Sequence, residues 1–125
     1  LTECDVGQWE GLSWQAIAAA HPEAHARFIA DPALHPYLGG ESLSDVRERV
    51  QPALNALLEN HPGQAIVVVA HNVVNRAYLA GYLGIPLAAA RGIAQANCGI
   101  NAFRRRDGQT RLLTVNAQFH LSGWE

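Results

Sequence analysis

Six histidines, eleven acidic residues and two cysteines hold the chain's capacity for acid–base, nucleophilic or metal chemistry. His71 has the most informative surroundings. It closes the apolar run "AIVVVA" over 65–70 and opens the helix-like stretch "NVVNRAYL". In open α/β sheets ligands gather beyond the carboxyl ends of strands. The N–H groups at a helix start also attract an anion such as phosphate. A histidine at such a junction can act as acid, base, nucleophile or hydrogen-bond donor. It can equally neighbour a helix cap with no chemical role, and the run itself does not decide.

The remaining candidates carry less. His21 and His25 in "HPEAH" have the spacing of metal ligands on one helical face. Pro22 separates them, the HExxH order is absent and no third ligand is evident, so they read as an exposed helix start. Cys4 and Cys98 form neither a disulfide framework nor a metal pattern and fit a reduced, cytoplasmic setting. None of Ser13, Ser42, Ser44 and Ser122 lies in a G-x-S-x-G elbow, which argues against a serine hydrolase. Glu41 in "GGES" is within reach of a pocket from its loop, although helix capping by Ser42 explains that block adequately. Arg49 and Arg76 fall within helices, with Arg76 pointing away from a ligand at the helix start. Trp9, Trp14 and Trp124 read as packing residues.

The elements that must position these groups are marked by punctuation. Ser13 caps a short helix through about Ala20, and Pro22 suits the first turn of a helix over 22–30 with Phe28 and Ile29 on its apolar side. A long loop, "DPALHPYLGGES", follows. Ser42 and Asp45 form a capping signal, and Val46, Val50, Leu54, Leu57 and Leu58 recur at helical spacing, predicting a helix over 43–60. The run 65–70 does not alternate, so it predicts a strand buried on both faces, as in a parallel sheet covered by helices. A helix over 73–83 stops at Gly84. Two strands flank "DGQ" as a hairpin. The expected class is α/β with an antiparallel edge, in a single domain over 1–125.

Composition bounds the function. With 125 residues, 49% of them hydrophobic and 16% charged, the chain can bury a core and is not expected to be disordered. A net charge of −2 with one short basic run, "RRRDG" at 104–108, gives no nucleic-acid footprint. Arg104, Arg105 and Arg106 read as a solvated hairpin end. The apolar stretches are far short of a membrane span. There is no methionine, so Leu1 is not an ordinary initiator and the native N-terminus is expected upstream.

Four blocks, "LTECDVGQWEGL", "GGESLSDVRERV", "IVVVAHNVVNRAYL" and "NAQFHL", occur in an order and spacing that resemble the histidine phosphatase superfamily, the phosphoglycerate mutase-like proteins. The resemblance covers essentially the whole chain but only the later part of a family domain. It implies a three-layer α/β/α fold with a mostly parallel sheet and an antiparallel edge, incomplete at the N-terminus. It also implies phosphoryl transfer from substrate to a nucleophilic histidine, then to water or a second substrate. His71 matches the second histidine, which donates hydrogen bonds to the transferring oxygens, and Glu3 matches the acid that protonates the leaving oxygen. Both roles are physically sound. Donors aimed at equatorial oxygens stabilise an in-line transfer, and a carboxyl beside an anionic phosphate retains its proton to higher pH. No metal and no other cofactor is implied. Asn97 and His120 match positions of hydrogen-bonded support.

The sequence also departs from the family pattern. No histidine is followed by glycine, so the Arg-His-Gly nucleophile segment is absent and is expected upstream of Leu1. The two expected arginine clamps are missing as well. Asn72 stands where the family usually has glycine. Asparagine tolerates positive φ well, so the backbone turn is expected to survive, and its side chain is a candidate phosphate contact. The resulting expectation is a phosphatase acting on a small phosphorylated metabolite, inactive as the isolated chain. Alternatives are an inactive phosphate- or partner-binding domain and a phosphoglycerate mutase-type phosphotransferase. A missing strand would leave an open sheet edge, to be filled by a second copy or a domain swap.

Overall fold

The structure, a computed structural model, describes residues 1–123; Trp124 lies outside them. Helices α1 (Trp14–Ala20), α2 (Pro22–Ala30), α3 (Leu43–Asn60) and α4 (Asn72–Leu83) precede a hairpin of β1 (Ile100–Arg106) and β2 (Gln109–Ala117). Short 3-10 turns occupy Gly7–Trp9, Leu87–Gly92 and Phe119–Leu121.

Three of the four helices begin on a residue suited to a helix start. The Ser13 hydroxyl accepts from Ala16 N at 3.2 Å. Pro22 occupies the first turn of α2, where no donor is needed. Ser42 and Asp45 close a reciprocal capping box on α3, with Asp45 N donating to Ser42 Oγ at 3.1 Å and Ser42 N to Asp45 Oδ2 at 2.8 Å. Gly84 ends α4 at φ 68°, the left-handed conformation that glycine adopts without a Cβ penalty. Asp107 and Gly108 both take positive φ, 51° and 74°, which makes a tight two-residue turn matched to strand twist. Arg104, Arg105 and Arg106 stand exposed beside that turn.

The main core lies between α3 and α4. Val46 and Val50, one helical turn apart, are fully buried in one cluster with Val74, Ala77, Tyr78 and Ala80. Each such valine contributes roughly 1.5–3 kcal/mol by leaving water. A second cluster joins Trp9, Ile17 and Phe28, with Tyr37 packed against both clusters. Trp9 packs edge-on to Phe28 at 5.5 Å, although its buried Nε1 has no hydrogen-bond partner among the described residues. Phe28 is fully buried as expected, but Ile29 is 48% exposed. The step of about 100° per residue carries Ile29 off the face that Phe28 points into the cluster.

The largest difference from the sequence reading concerns residues 65–70. They belong to no ladder among the described residues, where the sheet is the two-stranded antiparallel β1–β2 hairpin. Val67 and Val69 are 92% and 88% exposed instead of buried. A mostly parallel sheet between two helical layers is therefore not what the described residues form. An apolar run becomes a buried strand only when neighbouring strands supply hydrogen bonds and helices cover its faces. Among the described residues no strand pairs with this run, and only one of its faces is partly covered, Ile66 and Val68 being 36% and 39% exposed.

Candidate active site

The site assembles around the first turn of α4. Leading the helix, His71 has extended backbone at φ −129° and ψ 169°, and its side chain makes no cap bond. Its carbonyl accepts from Asn75 N at 2.9 Å, while the imidazole is exposed. The free N–H groups of the first turn are met by Glu3, which arrives from the other end of the chain. Glu3 Oε2 accepts from Val73 N at 3.2 Å, and Oε1 accepts from Val74 N at 3.4 Å and from Cys4 N at 2.8 Å. A carboxylate is a natural partner for a helix start, where unpaired donors and the helix dipole both favour negative charge. The structure thus brings Glu3 to the helix that His71 heads. The anion expected at that helix start is here the protein's own carboxylate.

Asn72 departs from the turn expected of it. It is the first helical residue of α4 and does not take positive φ, so no glycine-like turn follows His71. Its side-chain amide donates to Gln95 O at 2.9 Å, which ties α4 to the loop after Leu87–Gly92. Arg76 donates to Ile93 O in the same loop at 2.9 Å, a structural bond. His120 lies 2.9 Å from Cys98 O through Nε2, whereas Asn97 is exposed. Asn101 and Asn116 carry bonds in that region, Asn116 N donating to Asn101 Oδ1 at 2.9 Å and Ala96 N to Asn116 Oδ1 at 2.7 Å. His25 packs against Trp9 and Trp14 at ring distances of 6.5 and 5.9 Å. A shallow cleft of about 200 Å³ between Tyr78, Tyr82 and Arg105 involves none of the site residues.

Sequence reasoning missed Arg49. Its Nε and Nη2 donate to the two Glu41 oxygens at 2.6 and 2.9 Å, while Nη1 and Nη2 donate to the carbonyls of Thr2 and Glu3 at 3.0 and 3.1 Å. The guanidinium holds the Glu41 carboxyl below its ordinary range, and Glu41 in turn raises Arg49. Glu41 also receives Asp5 N at 2.9 Å, and its own N–H reaches Asp5 O at 2.8 Å. Such closeness depends on two glycines. A Cβ on Gly40 would stand 2.3 Å from Asp5 O, and one on Gly7 would stand 2.4 Å from Leu38 O. Nearby, burial pushes the Cys4 thiol up to about 12, with Glu41 and Glu3 acting in the same direction. The signal in the sequence is Glu41 in "GGES", eight residues before Arg49, but the cap that Ser42 supplies is an adequate reason for that block and hides the ion pair.

A family model described as the histidine phosphatase superfamily, branch 1, matches residues 1–118. The chain belongs to this superfamily. Among curated relatives, this histidine phosphatase chain is 29% identical over 121 residues to phosphoserine phosphatase 1 of Hydrogenobacter thermophilus, covering 97% of this chain and 57% of the relative. It is 32% identical over 123 residues to the metal-independent phosphoserine phosphatase of Arabidopsis thaliana, covering 98% and 50%. The chain therefore spans about half the length of these relatives. Among solved structures, mycobacterial glucosyl-3-phosphoglycerate phosphatase in complex with VO3 superposes with a TM-score of 0.73 at 30% identity, over 94% of this chain and 62% of the other. YhfR of Bacillus stearothermophilus gives 0.78 at 24% identity over 88% and 55%, a likeness of fold. The superfamily fold is thus present in part, with its antiparallel hairpin and helices.

Proposed function

We propose that this chain supplies the general acid and the second histidine of a phosphomonoesterase that works through a phosphohistidine. The observation that carries the reading is Glu3, whose carboxylate meets the N–H groups of Val73 and Val74 on the helix headed by His71. Phosphatase names among the relatives support the reaction class. The nucleophilic histidine is assigned to a segment upstream of Leu1. In the first step its nitrogen bonds to phosphorus as the phosphorus–oxygen bond of the ester breaks. Glu3 gives its proton to the departing oxygen, and an N–H of His71 donates to the phosphoryl oxygens as charge spreads over them. Water then takes the phosphoryl group from the histidine, with Glu3 accepting the water's proton. Among the described residues no helix is long and apolar enough to cross a membrane, and a small phosphorylated metabolite is the assigned substrate class.

The test is turnover of p-nitrophenyl phosphate by the longer protein that carries this sequence together with an Arg-His-Gly segment. His71→Ala should lower kcat by about 100-fold or more, the range for losing one transition-state donor. Wild-type turnover that survives this substitution unchanged would remove His71 from the mechanism. A longer protein with no Arg-His-Gly segment and no turnover would favour a binding domain.

A further inference from the structure

We propose that Arg49, locked in place by Glu41, is a positioning residue that aims the Glu3 carboxyl at the reaction centre; this rests on the reading of Glu3 as the general acid. The two flanks of Glu3 are held differently. On the side-chain flank, the carboxylate is fixed by Cys4 N, Val73 N and Val74 N. On the backbone flank, consecutive carbonyls at Thr2 and Glu3 both point to the Arg49 guanidinium. Asp5 is gripped through both its N–H and its carbonyl by Glu41. The strap from Thr2 to Asp5 is thereby tied to one ion pair and to the core, where Cys4 is buried.

The competing reading is an ordinary surface ion pair that merely steadies two loops. The pair is partly exposed, with side chains 32% and 22% accessible, so as an ion pair alone it is largely screened by solvent and adds little. Its geometry exceeds that of a simple pair. The guanidinium makes four hydrogen bonds, two to Glu41 and two to successive carbonyls of the strap that bears Glu3. A planar fork can hold that arrangement and a lysine ammonium cannot. A displacement of about 1 Å of a catalytic group can cost on the order of 100-fold in rate.

General acid catalysis matters most when the leaving oxygen is basic, and this separates aim from stability. The experiment compares kcat/KM on p-nitrophenyl and phenyl phosphates for Arg49→Lys, Glu41→Gln and Glu3→Gln in the longer protein. With Arg49→Lys, phenyl phosphate should lose about 30-fold and p-nitrophenyl phosphate under about threefold, with Glu41→Gln moving the same way. Glu3→Gln should show the same skew, larger. Equal losses on both esters for Arg49→Lys, or none on either, overturn the positioning role while the skew in Glu3→Gln preserves Glu3 as acid. No skew in Glu3→Gln overturns both. Thermal melts monitor folding; should Arg49→Lys fail to fold, the Glu41→Gln comparison decides by the same criterion.

Discussion

At the scale of single residues, the two cysteines sit in opposite surroundings. Cys4 is 6% exposed, and its thiol is raised to about 12 first by burial and then by the carboxylates of Glu41 and Glu3. Since the thiolate is the nucleophile, such a group is inert at neutral pH. Cys98 is exposed in the loop before β1, at φ 59°. A disulfide reagent at a pH of about 7.5 should therefore titrate one thiol of the folded chain quickly and the second only after denaturant is added. Two fast equivalents in the native state would show that the strap bearing Glu3 is not packed as described.

At the scale of elements, α3 serves twice, forming half the core and carrying Arg49. Its capping box is therefore coupled to the site. Ser42→Ala should destabilise the chain by about 1 kcal/mol in a urea melt at neutral pH. Hydrogen bonds from the Ser42 hydroxyl and N–H hold the Asp45 carboxyl below its ordinary range. A carboxyl lowered by folding adds stability above its unfolded value and loses it as pH falls through the folded one. The difference between Ser42→Ala and wild type should thus shrink below about pH 4, and a difference that stays constant down to about pH 3 would rule out the charged cap. These helix limits were readable because capping is local: Ser13, Pro22, the Ser42–Asp45 pair and Gly84 each act within a few residues. The Asp107–Gly108 turn was readable for the same reason. Arg49 was not, since its carbonyl partners lie 46 and 47 residues away. Nor was the state of 65–70, because hydrophobicity marks a potential strand but not whether neighbours pair with it.

At the scale of the whole molecule, the valine run is the weakest feature of this chain alone. Val67 and Val69 present β-branched apolar side chains to solvent in a segment that joins no ladder among the described residues, a setting that favours pairing with other chains. Replacing both with lysine should leave the stability of the isolated chain within about 0.5 kcal/mol of wild type. It should also reduce concentration-dependent association in light scattering. A large loss of stability would mean that these side chains are covered. The interlock of Gly7 and Gly40 has a different consequence, for heredity. A Cβ at Gly92 meets nothing within 4 Å, so deep sequencing of a library selected for folding should recover many residue types there. Positions 7 and 40 should come back as glycine only, because any larger residue forces the 37–41 turn off Asp5 and the Leu1 end drifts free. Drift can therefore rewrite much of this surface while two hydrogen-sized side chains remain frozen.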